Sequence, residues 1–160
     1  MRALVVWTLA LMCGLQASAQ GIWLANYQRA CEQWEDESVA RAFLEFVRET
    51  PLSGISEPEA VAFRAAAEMM AANHGWNPLE QWNVFVTWRD ALEEAVMDAP
   101  DEPNVRLVRF GIQENAPRFL GYSHEIEEDR GRCFEALRAG VWAAHPDFEN
   151  FVRESLSLIP

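Results

Sequence analysis

The chain has 160 residues and a formal net charge of −12 at pH 7, with the histidines counted as neutral. A domain this acidic repels nucleic acid and anionic lipid surfaces, so we expect neither as a partner. All 13 basic residues are arginines, and the absence of lysine excludes a lysine nucleophile, a Schiff base and a phosphate-loop lysine.

The N-terminus has the pattern of an export signal. Arg2 precedes an apolar run over residues 3–15, and Ala17-Ser18-Ala19 has the small residues that a signal peptidase recognises. This pattern predicts a signal peptide over residues 1–19, cleaved after Ala19, and a mature protein in the periplasm or outside the cell. Acylation at Cys13 is the weaker alternative, and the run is too short for stable membrane insertion.

Helical patterns follow one another along residues 20–160, and no segment alternates like a strand. A first helix is expected over Trp23–Trp34, and a second carries Val39, Phe43 and Val47 and ends at Pro51. Further starts are predicted from local capping patterns and prolines. These starts lie at Ser56 (with Glu59 three residues later), Asn77-Pro78, Asp101-Glu102-Pro103, Ser123 and Pro146.

No linker or repeat divides this region, and apolar positions occur in every predicted helix. We therefore predict one all-α domain over residues 20–160, a single bundle of about six or seven helices. Of its tryptophans, Trp82 falls on the apolar face of its helix and is expected in the core. Trp76, beside Gly75 at a helix end, is expected to be exposed.

Arg106, Arg109 and Gln113 recur along one side of the fifth predicted helix, with Asn115 following. A row of arginines can hold the carboxylate of a peptide or small acid, so these four residues are a candidate binding site. Internal ion pairing is the favoured alternative, because Glu102 lies one turn before Arg106 and other carboxylates could reach Arg109.

Two further sets of residues could carry chemistry. Cys31 and Cys133 are the cysteines left after signal removal, and they could form a disulfide or remain as buried thiols. His124 and Glu128 are four residues apart on a predicted helix and form a weak candidate metal site. Carboxylates at a helix start explain the same segment without a metal, so no metal and no cofactor are expected.

Residues 61–121 resemble tetratricopeptide-type helical hairpins. The stretch Phe85–Met97, with Leu92, Ala95 and then Pro100, matches the second helix of such a repeat and its terminal proline. The chain departs from the family by lacking the W-x2-L-G-x2-Y pattern of the first helix. The resemblance implies that part of the bundle is arranged as helical hairpins.

The chain also resembles a group of small exported bacterial proteins. The resemblance rests on Asn104–Pro117 followed by Phe119-Leu120-Gly121-Tyr122. The group has no established activity, so no reaction or catalytic residue follows from this likeness.

The sequence favours a non-catalytic binding or scaffold module, because it combines helical hairpins and an export signal with none of the strong catalytic motifs. The expected partner is a protein or peptide, held near Arg106 and Arg109. The alternatives are a small metal-dependent or hydrolytic enzyme that uses His124 and its neighbours, and an envelope structural protein without a ligand.

Overall fold

A computed structural model describes residues 18–157, which form seven α-helices, one 3₁₀ turn and no strand. The prediction of an all-α bundle is confirmed. The predicted signal peptide lies outside the described residues, apart from Ser18 and Ala19. The helices are α1 (Ala19–Glu32), α2 (Glu37–Glu49), α3 (Glu57–Asn73), α4 (Pro78–Asp98), α5 (Pro103–Asn115), α6 (Ile126–Arg138) and α7 (Pro146–Ser157), and the 3₁₀ turn covers Arg118–Leu120.

Local capping determines where α3 and α4 begin. The Ser56 side chain accepts from the Glu59 backbone N–H, while the Glu59 carboxylate accepts from the Ser56 backbone N–H at 2.7 Å. The Asn77 side chain accepts from the Leu79 N–H at 3.1 Å, and Pro78 occupies the first helical position. Both starts were predicted from the sequence and are confirmed, because the groups that set them are only a few residues apart.

Helix α3 lies at the centre of the bundle and packs against α2, α4 and α5. Its buried residues are mostly alanines, which allow neighbouring helices to approach closely. Phe63 fills the remaining space and lies between Trp23 and Tyr27 of α1, with ring centroids 5.8 Å and 5.4 Å away. These aromatic contacts hold α1 against α3. One continuous apolar core extends from this contact to α6 and α7.

The first residues of helix α1 contact two loops. The Ser18 hydroxyl accepts from the Gly21 N–H at 3.0 Å and lies 3.4 Å from His145 Nε2, next to the start of α7. Gly54, in the α2–α3 loop, has a φ of 81°, and a β-carbon there would lie 2.6 Å from that of Ala19. The first turn of α1, whose residues are half-buried or exposed, therefore contacts two loops that are distant in sequence.

Helix α6 begins two residues later than predicted, because its N-cap is Glu125 instead of Ser123. Its first helical residue is Ile126, and Glu125 precedes it without a side-chain cap. The intervening chain makes tertiary contacts instead, because Tyr122 is buried and the Glu125 carboxylate accepts from Gln113 Nε2. These contacts come from α4 and α5, and no local sequence signal reveals them.

No helix within residues 18–157 is long and apolar enough to cross a membrane.

Candidate functional site

The arginines of α5 converge on one carboxylate of α6. Asp129 is fully buried, and its two oxygens accept from both Arg106 and Arg109. Arg106 Nη1 lies 2.8 Å from Oδ1, while Arg109 Nε lies 2.6 Å from Oδ2 and Arg109 Nη2 lies 2.9 Å from Oδ1. Arg109 thus binds both oxygens of Asp129 with two N–H groups, the bidentate geometry that its planar guanidinium favours.

Acceptors from other elements occupy the remaining donors. Arg109 Nη1 donates to Glu93 of α4 at 2.8 Å, and Arg106 Nε donates to the Pro100 carbonyl at 2.6 Å. The Tyr122 hydroxyl donates to the other Glu93 oxygen. Burial and the neighbouring Glu93 carboxylate raise the pKa of Tyr122 above its usual range, so this phenol stays protonated.

Arg109 keeps its charge in this enclosed place. Burial alone would lower the pKa of its guanidinium, but the hydrogen bonds and charges of Asp129 and Glu93 outweigh burial and raise it. Arg106 is 5% exposed and Arg109 is 4% exposed, so an incoming carboxylate would have to displace Asp129 to reach them. The structure thus shows the internal pairing that the sequence left as an alternative.

The other two candidate binding residues differ in their surroundings. Gln113 is 2% exposed and donates to Glu125, and its buried carbonyl oxygen has no hydrogen-bond partner among the described residues. Asn115 is on the surface, where its amide nitrogen donates to the Gly111 carbonyl at 2.8 Å. Only Asn115 of the predicted four therefore remains open to a partner.

The candidate metal pair does not have the predicted geometry. His124 lies in the turn before α6, so it shares no helix with Glu128. The Glu128 carboxylate accepts from Arg106 Nη1 at 3.1 Å. Within residues 18–157, no group of three or more histidine, cysteine or acidic side chains is placed to hold a metal ion.

Cys31 and Cys133 are free thiols in the structure. Burial raises the pKa of each thiol to about 12. For Cys31 the Glu32 charge adds to this effect and a hydrogen bond with Tyr27 opposes it. For Cys133 the Asp129 charge adds and Arg106 opposes. Both thiols are therefore almost wholly protonated at neutral pH, which makes them poor nucleophiles.

We expect both thiols to be alkylated by iodoacetamide much more slowly in the folded protein than in urea at the same pH. Because the thiolate is the reactive form, each should gain reactivity as the pH rises towards 12. Mass spectrometry of the non-reduced protein after timed alkylation measures both sites. A non-reduced mass two hydrogens lighter than that of the dithiol would show instead that the two cysteines pair.

An open cleft of about 290 Å³ lies between the C-terminal part of α1, the ends of α3 and α5, and the 3₁₀ turn. Its apolar lining comes from elements that are far apart in sequence. The apolar side chains that define it are Trp34, Met69, Met70, Phe85, Ile112 and Leu120. None of the lining side chains, all of which lie within residues 18–157, is charged.

The polar groups of this apolar cleft are few. Tyr27 and Cys31 lie along α1, and Asn73 and Asn115 lie at the exposed helix ends. The wall at Gly111 is tight, because a β-carbon there would lie 3.1 Å from the Tyr27 hydroxyl oxygen. The arrangement can accept apolar side chains and offer them a few hydrogen-bonding groups.

Large apolar side chains are exposed beside the cleft. Trp34 is 55% exposed, and its carbonyl accepts from His74 Nε2 at 3.1 Å, which ties the α1–α2 turn to the end of α3. Trp76 is fully exposed, as the sequence predicts. Trp82 is 46% exposed, so the prediction that it lies in the core is wrong. It belongs to the first turns of α4, which project beyond the packed part of that helix.

Sequence reasoning missed the cleft. Its lining is assembled from α1, α3, α4, α5, the α1–α2 turn and the 3₁₀ turn, and no spacing along the chain brings them together. The signal available in the sequence was the pair Met69-Met70 of α3, a residue type used at adaptable binding surfaces.

No family model matches the chain, and no curated protein or solved structure is significantly similar to it.

Proposed function

We propose that the protein is an exported, non-catalytic module that binds a protein or peptide segment in the apolar cleft. The observation that carries this proposal is an open, uncharged cleft of about 290 Å³ with a partly exposed tryptophan at its edge. Exposed apolar surface of this kind is costly in water, and it marks sites where another molecule covers it.

The buried state of the arginines argues for the cleft as the binding site rather than for Arg106 and Arg109. Their guanidinium groups already have carboxylate partners inside the bundle, and opening that cluster would leave Asp129 unpaired. Occupation of the cleft needs no such opening. Asn115, the one accessible member of the candidate set, lines the cleft and could donate or accept a hydrogen bond there.

The chemistry of the lining supports a binding role over a catalytic one. The Cys31 thiol is held protonated by burial, and the cleft contains neither a histidine nor a carboxylate among its described lining residues. General acid–base or nucleophilic catalysis needs such groups within hydrogen-bond reach of the substrate. The predicted export signal adds that the expected partner is met in the periplasm or outside the cell.

The proposal predicts that a photo-reactive phenylalanine analogue at position 115 will cross-link a specific partner in the producing cells. The matched control carries the same analogue at Met97, which is 73% exposed on α4. Met97 is twelve residues beyond Phe85, and therefore about 18 Å along the helix axis from the cleft. The adducts are identified by mass spectrometry of the cross-linked peptides.

The expected result is one recurrent partner segment joined at position 115 and absent at position 97. A Trp34→Ala substitution should reduce that adduct, because it removes apolar surface from the cleft edge. Identical adducts at both positions, or none at position 115, would contradict the proposal.

A further inference from the structure

We infer that the occupant of the cleft is a basic amphipathic helix of a partner protein, which lays its apolar face against the lining. This inference rests on the proposed function and specifies the chemistry of the partner. It depends on the shape of the cleft, on the residue types that line it, and on the charges beside it.

The shape and the lining suit side chains presented from a helix. A volume of about 290 Å³ is at the small end of the range for small-molecule pockets, and the exposed lining residues Trp34, Asn73 and Asn115 show that the cleft is open. Met69 and Met70 form one wall, and their flexible side chains can adapt to a leucine or a phenylalanine. Helix-in-groove recognition uses such anchors at positions i, i+3 or i+4, and i+7.

The charged residues next to lining residues in the chain are mostly negative. Glu32 follows Cys31 in the chain, Glu35 follows Trp34, and Glu114 precedes Asn115, and all three glutamates are exposed. Arg118, which follows Pro117, is the exposed positive residue directly adjacent to the lining in the described part of the chain. An apolar ligand that carries positive groups on either side is therefore favoured electrostatically.

The same charges disfavour the competing occupants. A fatty acid would bring its carboxylate to an acidic edge, and an acidic peptide would be repelled in the same way. A second copy of the chain would bring its own net charge of −12. The arginines offer little compensation, since many of them, including Arg48, Arg64 and Arg132, already pair with carboxylates of the same molecule.

The test uses three fluorescein-labelled synthetic peptides of about four helical turns each. The first is a leucine–lysine sequence with one apolar face. The second has glutamate in place of every lysine. The third has the composition of the first in an order that gives no apolar face. Binding to the mature protein is followed by fluorescence anisotropy at physiological ionic strength.

The amphipathic leucine–lysine peptide should bind at least about tenfold more tightly than either of the others. Trp34→Ala should weaken its binding by about tenfold, whereas Met97→Ala should not change it. A triple variant with Glu32, Glu35 and Glu114 changed to glutamine should weaken binding several-fold. A matched triple variant with Glu94→Gln, Asp98→Asn and Glu154→Gln has the same net charge as the first triple variant. It should bind the peptide as tightly as the unmodified protein does.

Four outcomes would overturn the inference. Equal binding of the glutamate peptide would mean that the cleft selects apolar side chains without regard to charge, while the proposed function would stand. Equal binding of the peptide without an apolar face, or equal loss in the two triple variants, would mean that the net charge alone attracts it. The fourth outcome is that no peptide binds while cross-linking at position 115 still captures one partner segment. In that case the inference of a basic amphipathic helix is wrong, and the proposed binding function stands.

Discussion

Replacing Asp129 by alanine is expected to lower the free energy of unfolding by about 3–5 kcal/mol, because it leaves Arg106 and Arg109 buried without their shared carboxylate. The loss greatly exceeds that for an exposed ion pair, which contributes about 0–1 kcal/mol. Urea denaturation followed by circular dichroism measures it directly.

The control for this prediction is Glu128→Ala. Glu128 also accepts from Arg106, but its side chain is 55% exposed, so water replaces the lost partner. The cause can be isolated by a double-mutant cycle that combines Asp129→Ala with Arg109→Met. If an unpaired buried charge is responsible, the second substitution will recover part of the loss. An Asp129→Ala protein as stable as the Glu128→Ala protein would show that the buried pairing does not form.

The second large effect is expected at Asn104, which joins α3 to the turn between α6 and α7. Its amide nitrogen donates to Glu59 of α3 at 2.8 Å, and its amide oxygen accepts from Trp142 Nε1 at 2.8 Å. All three side chains are buried. Asn104→Ala should lower the free energy of unfolding by about 2–4 kcal/mol, because it leaves a buried indole N–H and a buried carboxylate oxygen without a partner.

Asn115→Ala is the matched control for Asn104→Ala, since it removes an exposed amide from the same helix and should change stability by less than about 0.5 kcal/mol. Trp142→Phe removes the indole donor and also leaves a smaller ring in the core. In combination with Asn104→Ala it should cost less than the sum of the two single changes. Additive losses would show that the Asn104–Trp142 hydrogen bond contributes nothing. The measurement is urea denaturation monitored by circular dichroism, which does not depend on Trp142 fluorescence.

The sequence predicted those parts of the fold whose causes are local. Ser56 with Glu59 and Asn77 with Pro78 determine helix starts within a single turn, so reading the chain was sufficient. The start of α6 could not be predicted in this way, because Glu125 is engaged with Gln113 of α5 before the helix begins. Glu102 shows the same limit. It caps α5 through the Asn104 N–H, and the carboxylate partners of Arg106 are Asp129 and Glu128.

The site was predictable only in part, for a related reason. The spacing of Arg106, Arg109 and Gln113 shows that they share one side of α5, but it does not show that α6 covers that side with Asp129. Whether a polar row faces solvent or a neighbouring helix depends on packing between elements that are distant in sequence. The cleft depends on such packing throughout, and Trp82 shows that even a well-placed apolar residue can lie beyond the packed region.

The helical first turn of α1, with its contacts to two loops, sets an order of events for a chain that carries the predicted signal. The peptide bond between Ala19 and Gln20 belongs to a helix, with the Gly54 loop on one side and His145 on the other. A protease gains access to such a bond only when the local structure opens. Removal of the signal after Ala19 would therefore have to precede the docking of α1, and a chain that folded first would keep its leader. Processing and folding then compete in time, and the speed with which Trp23 and Tyr27 pack onto Phe63 decides the outcome.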